Sequence, residues 1–146
     1  MSIVSMRKLI LPISVLHSVT EHAQTLAPAE AVGIIGGDAS GRAACAIRCK
    51  NLGGVRSFFV DPYSQYQAIT QLRTGGRIPL AVYHSHPGGG IELSPLDRQF
   101  AVKVGLIQLV LVPANPRLPN GAWGAYWVTD AHHYEKVEVV IDTGTE

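Results

Sequence analysis

Residues 82–97 restrict the possible folds of this chain more than any other stretch, because they join an apolar run to a helix start through a glycine-rich turn. The apolar residues 78–83 predict a buried strand, and His84, Ser85 and His86 stand at its end. Since side chains alternate along a strand, His84 and His86 lie on one face and Ser85 on the other. The sequence therefore predicts two imidazoles side by side at a strand end.

The second half of this stretch has the form of a helix start. Ser94 is a preferred N-cap, Pro95 suits the first helical position, and Asp97 occupies the third, where a carboxylate meets the positive end of the helix dipole. Taken alone, such a serine and aspartate form a capping box with a purely structural role. The glycines at 88–90 allow the backbone to turn sharply between the strand and the helix.

Together these residues predict a metal site. Two histidines and one carboxylate, with one position left for water, are the ligands of a catalytic zinc site rather than of a structural one. An isolated His-x-His pair is more often two ordinary histidines, but the Pro-Gly-Gly and Ser-x-x-Asp that follow favour metal binding. We expect His84, His86 and Asp97 to hold Zn²⁺, which would lower the pKa of its bound water to about 7 and make that water a nucleophile.

The pattern H-x-H-x7-S-x2-D resembles the signature of the JAMM (MPN-plus) metalloproteases. That family pairs the signature with an upstream glutamate in a context similar to P-x-E-x-x-G, which Pro28, Glu30 and Gly33 match here. The resemblance extends from about residue 15 to about residue 128. One difference is that the family often has proline just before the serine, where this chain has Leu93, with Pro95 after the serine.

The resemblance implies catalytic roles for two further residues. Glu30 would act as general base and then as general acid, passing the proton of the zinc-bound water to the leaving amine. Ser94 would donate a hydrogen bond to the developing oxyanion. Glu92, inside the loop, is a rival for the base, and Glu30 is preferred only because the family pattern matches there.

The resemblance also implies a reaction, namely hydrolysis of a peptide or isopeptide bond after the C-terminal glycine tail of a ubiquitin-like protein. Small stand-alone bacterial and archaeal members are similar to enzymes that act on ubiquitin-like sulfur carriers. Two other classes stay open: a non-catalytic scaffold or binding module of the same fold, and a nucleic-acid-associated relative.

Composition restricts the possible binding partners and the expected cellular location of the protein. The 146 residues suit one domain, 1–146, and a net charge of +1 without a basic cluster argues against nucleic acid and anionic membranes. The apolar segment after Arg7 is short and interrupted by Pro12, so we predict a strand there instead of a signal peptide. Two cysteines, Cys45 and Cys49, are expected to be reduced thiols in a cytoplasmic protein.

The order of predicted elements indicates a mixed α/β fold. By resemblance this would be a curved mixed sheet flanked by helices, similar to the cytidine-deaminase architecture. Helices are expected at 15–26, from Asp61 to Gly75, and from Ser94 to Gly105, and strands at 31–35, 43–47, within 51–60, and at 106–112, 122–128 and 134–141.

Periodicity also predicts the surroundings of individual side chains. Tyr63 and Tyr66 are expected on the packed face of the second helix, and Leu96 on that of the third. Four histidines outside the motif are expected in solvent: His17, His22, His132 and His133.

Overall fold

A six-stranded mixed sheet forms the centre of this computed structural model, which describes residues 7–53 and 59–144. The strand order is β3-β2-β4-β5-β6-β7, and within this sheet only β4 and β5 run parallel. These strands are β2 (Val32–Gly37), β3 (Ala43–Cys49), β4 (Ile78–Ser85), β5 (Ile107–Val112), β6 (Ala122–Asp130) and β7 (His133–Lys136). A separate parallel pair joins β1 (Lys8–Pro12) to β8 (Glu138–Asp142).

Helices cover both faces of the sheet. Helix α1 (Ile13–Leu26) lies on one face with β1 and β8, while α2 (Pro62–Thr74) and α3 (Pro95–Val104) lie on the other. The buried residues of α1 follow the three-to-four spacing of an amphipathic helix: Val15, Leu16, Val19 and Ala23. None of the helices in the described residues has the length and hydropathy needed to cross a bilayer.

Strand β4 divides the two sides of the core, because its side chains alternate between them. Ala81 and Tyr83 belong to the cluster under α1, whereas Val82 packs with the residues of α2. All three are fully buried, and burying one large apolar side chain contributes roughly 1.5–3 kcal/mol. By the same alternation, His84 follows Val82 onto the face of α2 and α3, which is where the candidate site lies.

The connection from β4 through α3 to the parallel strand β5 contains the whole motif. Parallel neighbours require such a crossover, so the end of β4, the glycine loop and the first turn of α3 meet at one edge of the sheet. This crossover therefore brings the two histidines and the Ser-x-x-Asp helix start together, and no segment from elsewhere in the chain is needed to join them.

The mixed α/β fold is confirmed, and two strand predictions change in detail. The single closing strand expected at 134–141 is two strands, because the chain leaves β6 after Lys136 and pairs with β1 from Glu138. Cys49 ends β3 instead of following it. In the segment 51–60, residues 54–58 lie outside the described residues, and an isolated bridge joins Asn51 to Val60.

Three predictions about side chains are wrong. Tyr63 and Tyr66 are 65% and 67% exposed, because α2 buries the neighbouring stripe that contains Ala68 and Leu72. Leu96 is 67% exposed, since the first turn of α3 turns Asp97 inward instead. The third concerns His22, which is buried on α1.

His22 is 4% exposed and forms a hydrogen bond of 2.7 Å with the Tyr83 hydroxyl. The other three histidines outside the motif are exposed, as expected: His17, His132 and His133.

Candidate metal centre

Three side-chain atoms meet where β4 ends and α3 begins. Nε2 of His84 lies 3.1 Å from Nε2 of His86 and 3.3 Å from Oδ2 of Asp97, and the His86 and Asp97 atoms are 3.1 Å apart. The three atoms thus form a nearly equilateral triangle. The structure brings together the three predicted metal ligands, which form a group that could hold a metal ion.

The dimensions of this triangle fit zinc. Donors bound to zinc at about 2.0–2.1 Å in tetrahedral geometry are about 3.3–3.4 Å apart, close to the three distances found here. Two imidazoles and one carboxylate are also donor types that zinc accepts in catalytic sites, where a fourth position remains for water. The residues present therefore fit the ion that the sequence predicts.

His86 is oriented by the loop that follows it. Its Nδ1–H donates to the carbonyl oxygen of Gly90 at 2.9 Å, and its Nε2 faces Nε2 of His84 and Oδ2 of Asp97. A hydrogen bond to the far nitrogen of a ligating histidine is the usual way in which a protein fixes its tautomer and ring orientation. The glycine loop therefore has a second role besides reversing the chain.

Asp97 is held by a capping box. The Ser94 hydroxyl accepts a hydrogen bond from the Asp97 backbone N–H at 3.0 Å, and the Ser94 N–H donates to Oδ2 of Asp97 at 2.8 Å. Burial alone would raise the pKa of this carboxyl, but its hydrogen bonds with His84 and His86 outweigh burial and hold the pKa far below its usual range. Asp97 is therefore ionised at neutral pH.

The pKa values of the two histidines shift in opposite directions. Complete burial lowers the pKa of His84, and the contribution of Asp97 in the other direction is smaller. Burial would also lower the pKa of His86, but the hydrogen bonds with Asp97 and Gly90 raise it overall. His84 is thus the better prepared of the two to act as a neutral ligand.

Glu30 lies beside this triangle, on the same face of the sheet. The antiparallel register places Val32 opposite His84, and hydrogen bonds between Ala31 and Ser85 continue this pairing towards Glu30. The charges of His86 and Asp97 both act on the Glu30 carboxyl. It is only 7% exposed. Burial raises its pKa to about 7, while the charge of His86 lowers it and that of Asp97 raises it. A carboxyl with a pKa near neutrality suits a general base.

Ser85, between the two histidines, fixes the position of Glu30. Its Oγ accepts a hydrogen bond of 2.8 Å from the N–H of Ala31, and its own N–H donates to the Ala31 carbonyl at 3.0 Å. The carbonyl of Glu30 accepts another from Asn51 Nδ2 at 2.9 Å. The segment that carries the glutamate is therefore tied to the strand that carries the histidines.

A family comparison matches residues 12–135 with the prokaryotic homologs of the JAB domain. This match covers most of the chain. The chain belongs to the prokaryotic JAB-domain family. The family includes JAMM metalloproteases, so the resemblance seen in the sequence is confirmed at the level of the family. No curated protein matches the chain.

Solved structures share the JAB fold with this chain. A protein from Desulfitobacterium hafniense, determined in solution, has a TM-score of 0.81 at 24% identity, over 92% of this chain and 93% of that one. A JAB1/MPN domain protein from Archaeoglobus fulgidus, determined by crystallography, has a TM-score of 0.62 at 18% identity, over 95% of this chain and 100% of that one. At these identities the likeness shows the fold.

The sequence did not predict some contacts around the site of this JAB domain. The hydrogen bonds between Ser85 and Ala31 do have a local signal, which is a small hydroxyl residue between two histidines at the end of a strand. Tyr126, whose hydroxyl donates to the carbonyl of Ile91 at 2.8 Å, has no such signal because it lies on β6, far along the chain. Leu93, which stands where the JAMM metalloproteases often have proline, is 5% exposed and packs in the cluster of Val110 and Tyr126.

Proposed function

We propose that this JAB domain is a zinc-dependent hydrolase that cleaves a peptide or isopeptide bond after the C-terminal glycine tail of a ubiquitin-like protein of the sulfur-carrier type. The observation that carries the proposal is the triangle of donor atoms from His84, His86 and Asp97, with the buried carboxyl of Glu30 on the same face. Membership in a family that includes JAMM metalloproteases supports the reaction class.

In this proposal His84, His86 and Asp97 hold the ion, which when bound supplies an acidified water and a positive charge that polarises a carbonyl. Glu30 removes the proton from the nucleophile at its carboxylate and later gives it to the leaving amine. In the metal-free protein burial raises the pKa of Glu30 to about 7. A positive ion held by the three ligands would favour its carboxylate, which is the form that accepts the proton.

Ser94 is proposed to stabilise the oxyanion. Its hydroxyl oxygen already accepts the Asp97 N–H within the capping box, so the hydroxyl hydrogen remains available for donation to a substrate. The two roles that the sequence assigns to this serine are therefore compatible. A donor aimed at the developing charge is worth about 3–4 kcal/mol in comparable sites.

The glycine loop supports the choice of a slender substrate. A Cβ at Gly89 would lie 3.3 Å from Cβ of His86, so a larger residue there would crowd a proposed ligand. The neighbouring Gly88 has a φ of +78°, a conformation that favours glycine. Gly88, Gly89 and Gly90 themselves add no side chains next to His86, which suits a tail of glycines. We also propose action in the cytoplasm, where the free thiols of Cys45 and Cys49 would stay reduced.

The test begins with zinc content and continues with hydrolysis. A sulfur carrier fused through its terminal glycines to a reporter peptide should be cleaved by the zinc-loaded protein and not by the chelated one. Glu30→Gln should keep one zinc per chain and lose cleavage by a factor of at least about 100. Glu92→Gln is the matched control, because it makes the same change at the rival glutamate inside the glycine loop. This variant should cleave the fusion normally.

Two results would contradict the proposal. Loss of cleavage in Glu92→Gln with normal cleavage in Glu30→Gln would assign the base to the loop. Zinc binding without cleavage of any carrier fusion would instead favour a non-catalytic binding module.

A further inference from the structure

Three side chains hold the loop between the histidines and α3: one from His86, just after β4, one from Tyr126 on β6 and one from Arg98 on α3. The carbonyl of Gly90 accepts from His86 Nδ1 at 2.9 Å, that of Ile91 from the Tyr126 hydroxyl at 2.8 Å, and that of Leu93 from Arg98 Nη1 at 3.2 Å. A loop held at three of four successive residues has little freedom to change its conformation. These contacts therefore concern the site, because the first of them orients a proposed ligand.

We propose that Tyr126 is a positioning residue for the metal centre. By holding the Ile91 carbonyl, its hydroxyl keeps the preceding Gly90 carbonyl directed at Nδ1 of His86 and so presents Nε2 of His86 to the ion. The inference rests on the metal-binding part of the proposed function and is independent of the substrate. Tyr126 does not touch the reacting groups, so it acts through His86 alone.

The surroundings of Tyr126 indicate that the hydroxyl has a directed role. The residue is 3% exposed, and its ring packs with Leu93, Ala101, Val110 and Val128, so the ring alone would fill the space as phenylalanine does. A buried tyrosine hydroxyl needs a partner, and here the partner is the loop carbonyl.

A second observation comes from Gly124, two residues earlier on the same strand and therefore on the same face. A Cβ at this position would lie 2.9 Å from the Tyr126 hydroxyl oxygen and 3.3 Å from Cδ1 of Ile91. The absence of a side chain at Gly124 therefore leaves room for the hydroxyl and the loop to meet. Strand β6 thus offers both the donor and the space that the contact requires.

Arg98 holds the far end of the same loop. Its Nε donates to the carbonyl of Ala131 at 2.9 Å, while its Nη1 donates to that of Leu93. The loop is thus fixed on one side by β6 and on the other by α3, which also carries Asp97. With Leu93 fixed, loss of the Tyr126 hydroxyl would free mainly Ile91 and Gly90, which are the residues that orient His86.

The test is Tyr126→Phe, which keeps the ring and removes one hydroxyl. Removing a direct hydrogen-bond partner of a ligating histidine lowers metal affinity by about 10–100-fold, and Tyr126 acts one contact further away, so we expect the zinc dissociation constant to rise about tenfold or slightly less. The matched control is Tyr134→Phe, which alters a 43%-exposed tyrosine whose ring contacts Tyr126 edge-on at 5.6 Å. This control should bind zinc as the unaltered protein does.

Two measurements separate positioning from general destabilisation. Competition with a chromophoric chelator gives the zinc affinity, and long-range ¹H–¹⁵N spectra of the metal-free protein at alkaline pH show whether His86 carries its proton on Nδ1. In Tyr126→Phe this proton should become partly distributed to Nε2, whereas in Tyr134→Phe it should stay on Nδ1. Gly124→Ala is a second variant that should change both readouts in the same direction, because its added methyl group displaces the hydroxyl.

Unchanged zinc affinity and an unchanged His86 tautomer in Tyr126→Phe would overturn the inference. So would equal losses in Tyr126→Phe and Tyr134→Phe, which would indicate a general effect of the aromatic pair. If the unaltered protein binds no zinc, the proposed function fails, but the tautomer of His86 in the metal-free variants still decides whether Tyr126 positions it.

Discussion

Replacing Glu30 by glutamine should make the metal-free protein more stable at neutral and alkaline pH. The carboxyl is 7% exposed, and its pKa is about 7 in the fold against an ordinary value of 4.5, chiefly because burial disfavours the charged form. The folded protein must therefore keep a proton on Glu30 or accept the cost of a buried charge. Glutamine has nearly the same shape and no charge to bury.

The size of the effect follows from the two pKa values. Each pKa unit corresponds to about 1.4 kcal/mol, so a difference between 4.5 and about 7 amounts to about 3 kcal/mol. Between these pH values the folded state binds more protons than the unfolded state, so the contribution of Glu30 to stability falls as pH rises through this window. The advantage of Glu30→Gln should therefore be near zero below pH 4.5 and reach about 3 kcal/mol above pH 7.

The assay is urea unfolding of both proteins, stripped of metal, at several pH values from 4.5 to 8. Other titrating groups are common to the two proteins and largely cancel in the difference. Glu92→Gln is the control, because Glu92 is exposed and its replacement should change stability by less than about 0.5 kcal/mol. A difference between Glu30→Gln and the unaltered protein that is absent at pH 8, or that does not depend on pH, would refute the reasoning.

Three further perturbations test other parts of the structure. Burial lowers the pKa of His22 from 6.5 to about 4. Between these pH values the unfolded state binds more protons than the folded state, so the free energy of unfolding falls by up to about 3 kcal/mol as the pH falls. Urea unfolding of His22→Gln should lack this loss. A Cβ at Gly33 would overlap the fully buried ring of Tyr83, so Gly33→Ala should lower the free energy of unfolding by about 1–3 kcal/mol, measured in urea at pH 7. Free zinc at 100 times its dissociation constant should raise the free energy of unfolding by about 2.7 kcal/mol, and thermal or urea unfolding of Asp97→Asn should show almost none of this increase.

The clustering of the three candidate metal ligands could be predicted from the sequence because the rules that place them are local. Alternation along a strand puts His84 and His86 on one face, and the capping box fixes Asp97 relative to Ser94. Both rules operate within residues 84–97, and the crossover from β4 to β5 brings their ends together. The fold class could be predicted for a related reason, since the periods of the main helices and strands are each visible within one element.

Glu30 could not be predicted from local rules. Its place beside the histidines depends on the antiparallel pairing of β2 with β4, and nothing within either strand specifies that partner. Only the family pattern supplied the residue. The hydrogen bond of Tyr126 to Ile91 is similar, because it joins residues of different elements 35 positions apart.

The wrong predictions have physical causes of the same kind. Helical spacing in α2 defines several possible faces, and the sheet buries the one with Ala68 and Leu72 while Tyr63 and Tyr66 stay exposed. The polarity of His22 suggested solvent, but a partner 61 residues away satisfies its Nδ1 in the core. In both cases the deciding contact belongs to the tertiary structure.

The division of the site between a contiguous segment and a neighbouring strand has an evolutionary consequence. The three candidate donor atoms are inherited together on one short stretch, whereas the proposed proton acceptor is encoded separately, upstream, in a part of the chain linked to that stretch by strand pairing. Under the proposed function, a single codon change at position 30 would abolish turnover while leaving the architecture and the candidate donor atoms intact. Inactive descendants that still recognise a target would then be only one mutational step from an active ancestor.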